Sequence, residues 1–430
     1  MLEKLFKLSE HNTDVKTEVI AGFTTFLTMA YIIFVNPSML AAAGMDEGAV
    51  FVATCLAAAV GCMIMGLWAN YPVALAPGMG LNAFFSFTVV GQMGYSWQVA
   101  LGAVFLSGVC FFLLSIFKVR EWIIHSIPLS LRGGIGAGIG LFLGFIALKN
   151  AGIVVDNPAT LVTIGDMTSW SAVMACVGFI IITALFHRQV TGSVMIGILL
   201  VTVISLIAGQ IEFQGIVAAP PSLEPTLAQL DLEGALQVGL ISIVFSFLFV
   251  DLFDTSGTLI AVAQKGKLLD NQGRLPRLGR ALMADSTATM AGSVMGTSTT
   301  TSYIESGAGI AAGGRTGLTA VVVGLLFIAS MFLSPLAGTI PAYATAPALF
   351  FVAVLMTHSL VQIDWDDITE AAPVVIAAVT MPLTFSITTG IGLGFISYTA
   401  IKLLTGRIKE VNSAMLLLSV LFVVKLAVYG

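Results

Sequence analysis

The residues of this chain whose types and spacing best suit chemistry are three acids set in apolar surroundings: Asp251, Asp254 and Glu305. Ionisable side chains in membrane-length apolar runs are rare and mark functional sites. Asp251 and Asp254 stand in Phe245-Ser-Phe-Leu-Phe-Val-Asp-Leu-Phe-Asp-Thr-Ser-Gly-Thr-Leu259. On a helix, a spacing of three puts both carboxylates on one face, which Thr255 and Thr258 extend. Two carboxylates close together in a low dielectric repel each other, so one of them can take up and release a proton. Asp254, Asp251 and Glu305 are therefore the candidates for proton coupling. Asp285 also lies in an apolar run, nearer its inner end.

Glu305 belongs to Gly296-Thr-Ser-Thr-Thr-Thr-Ser-Tyr-Ile-Glu-Ser-Gly307, which is too polar and too short for a lipid-facing span. Its β-branched run favours extended backbone, followed by a short half-helix. Non-helical backbone at membrane depth has to line a cavity or be covered by protein. Its free N–H and C=O groups, with Thr299 and Thr300, suit a planar hydrogen-bonding solute. Glu305 can accept from the ring and exocyclic N–H groups of such a solute. The first half has a counterpart in Pro77-Gly-Met-Gly-Leu-Asn-Ala-Phe-Phe85. There Gly78 and Gly80 permit close backbone approach, Asn82 offers a donor and an acceptor together, and Phe84 or Phe85 can stack on a flat ring.

Other motifs carry no such chemistry. Gly133 to Gly144 contains Gly136-Ala-Gly-Ile-Gly-Leu141, but no strand precedes it and an apolar span continues it. Close helix packing, along a sliding surface, suits it better than a dinucleotide. His11, His125, His187 and His358 are dispersed near span ends without metal-ligand spacing, and no nucleophile elbow or Walker motif is present. Cys55, Cys62, Cys110 and Cys176 lie inside apolar runs and read as buried packing residues. Neither an enzyme, a metal nor an organic cofactor is expected, and the coupling ion would be the proton.

The elements that must position these residues follow from composition. Of 430 residues, 57% are hydrophobic and only 10% charged, against about 25% charged in soluble domains. Mean hydropathy is +1.01. Lipid is thus the main solvent, and helices are the default spanning element. The net charge of −5 is spread over loops and points to no nucleic acid. Spans are expected near 19–40, 48–69, 72–92, 97–117, 128–150, 169–186 and 191–209. After a polar stretch, 211–234, others are expected near 236–262, 281–297, 299–312, 316–334, 341–360, 371–385 and 387–404. The last pair is a hairpin broken at Ser386–Gly390. The apolar stretch 412–429 is either a further crossing or an interfacial helix, in which Lys425 can snorkel.

Lys118, Arg120 and Arg132, and the loop Lys265, Lys267, Arg274, Arg277 and Arg280, mark the inner side. The stretch 211–234 holds four acids and no Lys or Arg, so it is placed outside and the N-terminus inside. Trp68, Trp97, Trp122, Trp170 and Trp365 fall at span ends as an aromatic belt. Ile127-Pro128 and Ile340-Pro341 each open a long span, a sign of two inverted seven-span halves.

At Gly22-Phe-Thr-Thr-Phe-Leu-Thr-Met-Ala-Tyr-Ile-Ile-Phe-Val-Asn-Pro37, Ala76-Pro-Gly-Met-Gly-Leu-Asn-Ala-Phe-Phe85, Phe249-Val-Asp-Leu-Phe-Asp-Thr-Ser-Gly-Thr258, Tyr303-Ile-Glu-Ser-Gly307 and Gly314-Arg-Thr-Gly-Leu-Thr319 the chain resembles the azaguanine-type purine permeases. These belong to the nucleobase–cation symporter-2 superfamily, and the resemblance runs nearly end to end. It implies an all-α polytopic membrane protein of about fourteen spans, as two inverted seven-span repeats. A cytosolic lead, 1–18, would precede a core domain built from 19–117 and 236–334. A gate domain would comprise 128–210 and 341–404, with 211–234 an extracytoplasmic linker and 405–430 a C-terminal apolar segment. Spans 3 and 10 would each hold a short strand and a half-helix.

The resemblance further implies uptake of adenine, guanine or hypoxanthine with a proton across the cytoplasmic (inner) membrane. Asn82, Asp251 and Glu305 would contact the purine, and Asp254 would support them or move the proton. A homodimer would form through the gate, with the core moving like an elevator. The alternative is a same-fold carrier of xanthine, uracil or a small anion. An anion would want a positive site, and the charges placed at mid-span are acidic.

Overall fold

The computed structural model describes residues 2–117, 126–237, 241–270 and 275–429. Lys118, Arg120, Trp122, His125 and Arg274 lie outside the described residues. The chain folds as a helix bundle whose outward face is apolar. Ile207, Leu383 and Leu404 are 83%, 74% and 87% exposed, a surface that suits lipid and not water. Among the described residues, nine helices are long and apolar enough to cross a membrane. Three shorter apolar helices, Ser193–Ile207, Ile368–Thr384 and Ser413–Ala427, accompany them. Long apolar helices alone do not reach fourteen. Two of the expected spans are broken segments, and Leu278–Met295 carries Arg280, Asp285 and several hydroxyl residues.

The helices pack as two sets. Val15–Met29, Glu47–Ile64, Trp97–Ile116, Ile241–Lys265, Leu278–Met295 and Gly317–Ser330 pack mainly on one another. Leu129–Asn150, Trp170–His187, Ser193–Ile207, Ala342–Thr357, Ile368–Thr384 and Ile387–Leu404 form the second set. Pro128 and Pro341 each stand just before a long helix of this second set, with extended ψ values of 143° and 153°. A proline there loses no helix hydrogen bond, because the first N–H groups of a helix have no partner within it.

The glycine run does serve close packing, but within the second set. A Cβ on Gly138 would meet Met381 Sδ at 2.5 Å, and one on Gly140 would meet Met356 Cβ at 2.8 Å. Those glycines therefore lock helices together, and most of the run does not face the first set as a sliding surface would. The hairpin break falls at Phe385, which takes a left-handed φ of 52°, and the Ser386 side chain caps the next helix by accepting from Thr389 N–H.

Helix Ser413–Tyr429 runs antiparallel to Ile387–Leu404. The Thr399 and Ser419 hydroxyls are 2.6 Å apart, and Phe395 stacks on Phe422 at 5.7 Å. Lys425 Nζ donates to Ser246 Oγ at 3.2 Å, so this lysine turns towards a neighbouring helix instead of snorkelling. Of the cysteines, Cys55 and Cys62 are buried as expected; Cys110 is exposed on the outer face and Cys176 is half-buried. A small outer hairpin, Val154–Asn157 with Leu161–Ile164, has no counterpart in the sequence reading.

Candidate functional site

The two polar interruptions meet. Strand Leu75–Pro77 pairs antiparallel with Thr300–Ser302, with Ala76 opposite Thr301. Antiparallel pairing is what two copies inserted with opposite orientation require. Each strand has three residues, which lets Pro77 sit at an end where no ladder N–H is needed. Gly78 N–H then donates to the Thr299 carbonyl at 2.9 Å, and Tyr303 Oη donates to the Pro77 carbonyl at 2.6 Å. Half-helices Met79–Ala83 and Ser306–Ala311 lead away from the pair. Buried backbone that leaves the helix is thus satisfied by its own counterpart.

Beside this pair lies a cavity of about 450 Å³, a size typical of small-molecule sites. Its inner wall includes Gly78, Gly80, Phe253, Asp254, Tyr303 and Glu305. Towards the helix ends it is lined by Arg132, Gln264 and His358. The cavity lies between the two helix sets. A Cβ on Gly80 would meet Ile139 Cγ2, from the second set, at 2.8 Å.

The acids are sorted by helix geometry. Residues three apart differ by about 60° around an α-helix, whereas i, i+4 and i, i+7 positions nearly superpose. Asp254, Thr258 and Ala261 form the stripe facing the cavity. Asp251 and Thr255 form the adjacent stripe, which turns to helix Leu278–Met295. Thr255 Oγ1 lies 3.1 Å from Asp251 Oδ1 and 3.0 Å from Asp285 Oδ1. Both Asp251 and Asp285 are fully buried. The two carboxylates of the motif thus sit on neighbouring stripes with different surroundings, and not on one shared face.

Glu305 and Asp254 do come together. Glu305 lies close enough for its charge to act on Asp254, and Asp254 accepts a hydrogen bond from the Thr301 side chain. Glu305 Oε1 accepts from Tyr31 Oη at 2.6 Å. A Cβ on Gly78 would stand 3.4 Å from Asp254 Oδ2, so glycine leaves that carboxylate open to the cavity.

Several expected contact residues lie behind the wall. Asn82 Oδ1 accepts from the Ser298 hydroxyl, which ties the two broken segments together. Phe84 packs edge-on against Phe247 at 5.0 Å, and Phe85 packs against the same ring. The Thr299 carbonyl is taken by Gly78, and Thr300 shares backbone bonds with the Thr289 hydroxyl. Asn82, Phe84, Asp251, Thr299 and Thr300 therefore shape the wall from outside it, while Gly80, Asp254 and Glu305 line it. The reason is shared: a strand alternates its side chains, and a half-helix turns them, so only part of each segment can face one cavity.

The sequence reading assigns no site role to Tyr31, Phe253, Thr301 or Tyr303, and Arg132 enters it only as a marker of the inner side. Phe253 and Tyr303 are the aromatic rings of the inner wall. The signal for Tyr31 is weak: a lone tyrosine in an apolar helix. That helix breaks after Met29 and restarts at Ile32, which turns the ring inward.

Residues 16–393 match the model of the Permease family. The adenine permease AdeP of Escherichia coli (strain K12) is 54% identical over 426 residues, spanning 99% of this chain and 96% of that protein. The guanine/hypoxanthine permease PbuG of Bacillus subtilis (strain 168) is 46% identical over 434 residues, spanning 98% of each. Among solved structures, the transmembrane domain of a cyanobacterium bicarbonate transporter, BicA, superposes with a TM-score of 0.67 at 15% identity, covering 88% of this chain and 97% of that one. The murine Solute Carrier 26 family member A9 anion transporter in its inward-facing state gives 0.64 at 11% identity, covering 92% and 68%. At such identity these two structures speak for the fold alone. The chain is a multi-pass membrane transporter and belongs to the permease family, in the group that holds these adenine and guanine/hypoxanthine permeases.

Proposed function

We propose that this protein imports a purine nucleobase, namely adenine, guanine or hypoxanthine, together with a proton across the cytoplasmic membrane. The observation that carries the reading is the meeting of Asp254, on helix Ile241–Lys265, and Glu305, at the start of a half-helix, in a cavity beside two paired broken segments. A purine is a flat ring with N–H donors on its edge. Carboxylates accept from those donors, and Phe253 and Tyr303 offer ring faces or edges to the base. The relatives named above are adenine and guanine/hypoxanthine permeases, which supports the class of substrate.

Proton coupling follows from the same pair. Two carboxylates facing each other in a poorly solvated wall repel when both are ionised. A proton on one of them removes that repulsion and leaves the other as an acceptor for the base. Asp251 and Asp285, sharing the Thr255 hydroxyl, support the helix behind Asp254. The distribution of basic residues supports an orientation with the N-terminus inside. With the N-terminus inside and fifteen crossings, all Lys and Arg except Lys149 and Lys425 fall on the inner side. The lengthwise packing of Ser413–Tyr429 supports the fifteenth. The cavity, which runs towards Gln264 and His358, then opens inward. Movement of the first helix set against the second would turn the site outward, with the second set as the surface of a homodimer.

The solved structures that share this fold carry anions by name. Here the inner wall is acidic, which disfavours an anion. The test is uptake of radiolabelled adenine in cells lacking their own purine carriers. Unlabelled guanine and hypoxanthine serve as competitors, with and without a proton uncoupler. Saturable uptake that the uncoupler abolishes is expected. Absence of purine uptake by well-expressed protein contradicts the reading.

A further inference from the structure

Glu305 follows the strand Thr300–Ser302 and stands immediately before the half-helix Ser306–Ala311. Its terminal torsion is of the broad, two-fold kind, so a carboxylate there would present either oxygen over a wide arc. A hydrogen bond from a distant part of the chain restricts that freedom. Tyr31 Oη donates to Glu305 Oε1 at 2.6 Å, across 274 residues of sequence. The tyrosine is fully buried, and the break between helices Val15–Met29 and Ile32–Ala41 aims it at the site.

The same helix holds the other end of the broken segment. Asn36 Nδ2 donates to Thr297 Oγ1 at 2.9 Å and to Thr54 Oγ1 at 2.7 Å. One helix therefore grips the segment at both of its ends, residues 297 and 305. Asn36 fixes its start. Tyr31 fixes the carboxylate itself by holding Oε1.

Resting on the purine reading above, we infer that Tyr31 is the positioning residue for substrate recognition. It selects the single Glu305 oxygen that accepts from a ring N–H, and so sets the discrimination between a free base and one alkylated at that nitrogen. The ring packs and the hydroxyl orients. Removing only the hydroxyl therefore costs recognition and leaves the fold intact.

The experiment measures equilibrium binding of adenine, and of adenine methylated at each ring nitrogen in turn, to purified wild-type, Tyr31→Phe and Glu305→Gln protein. Wild type is expected to reject at least one methylated base. Tyr31→Phe should purify in normal yield, bind adenine about tenfold more weakly, and bind the rejected methyl base about as before, so the preference shrinks. Equal weakening of every base, unchanged adenine affinity, or loss of the folded protein each overturns the assignment of Tyr31. The purine reading fails separately, if Glu305→Gln binds adenine as tightly as wild type.

Discussion

Two of the groups of carboxylates in this protein are answered differently. In the second helix set, Lys402 is fully buried, with Nζ 2.6 Å from Glu370 Oε1 and 2.5 Å from Glu410 Oε2. Tyr398 and Ser130 also donate to Glu370, and Asp367 pairs with Arg407 nearby. Glu370, Glu410 and Asp367 thus each have a cation. At the cavity, Asp254 and Glu305 are held by the hydroxyls of Thr301 and Tyr31, and among the described residues neither makes a salt bridge. A matched cluster holds helices in place. Unmatched acids are left able to exchange a proton or accept from a solute. Between these two sites, pairing by a cation goes with a structural cluster and holding by a hydroxyl goes with acids that line the cavity, whereas Asp251 and Asp285 share the Thr255 hydroxyl behind the wall.

The comparison is broken most severely by removing the cation. Lys402→Met leaves Glu370 without its partner, and breaking such a pair costs about 3–5 kcal/mol. The expected outcome is a large fall in melting temperature in detergent, with adenine affinity kept by the protein that remains folded. If instead stability holds and affinity drops, the two clusters are not separate in role. The reverse pattern is expected for Asp254→Asn. Uptake should fall about 100-fold, as for loss of a charged hydrogen bond, with the melting temperature and the amount in the membrane unchanged.

A smaller perturbation sharpens the geometry. In Gly78→Ala the new Cβ would stand 2.8 Å from Thr301 Oγ1 and 3.0 Å from Thr301 Cγ2. Thr301 must shift away from Asp254, and adenine binding should weaken by about tenfold, read by the same binding assay. The least effect is at the matched cluster's rim. Thr369 and Arg407 hold the Asp367 carboxyl down at about 2, from an ordinary value of 3.8. A depressed carboxyl stabilises the fold above its ordinary value, and that contribution is lost as pH falls from 3.8 through about 2. Melting temperature should therefore drop less steeply below pH 4 in Arg407→Gln than in wild type.

Much of this was legible in the sequence, because lipid is an intolerant solvent. A run such as Thr297 to Ser302 cannot face hydrocarbon, so its polarity alone places it inside, and the same holds for Pro77 to Asn82. The hairpin break at Ser386 was legible from length against bilayer thickness. What did not show was which way each side chain turns. Asp251 and Asp254 look equivalent until a second helix, carrying Asp285, claims the first of them. Asn82 and Phe84 look like contact residues until Ser298 and Phe247 are seen to occupy them. Tyr31 was hidden because its partner lies in the other half of the chain, and the hairpin Val154–Ile164 because its eight paired residues resemble loop.

The most direct measurement is equilibrium binding of radiolabelled adenine to purified wild-type and Glu305→Gln protein, each shown to be folded by its melting curve. The account predicts saturable binding to wild type and affinity weakened about 100-fold or more in the variant. Equal affinity in the two proteins would contradict it.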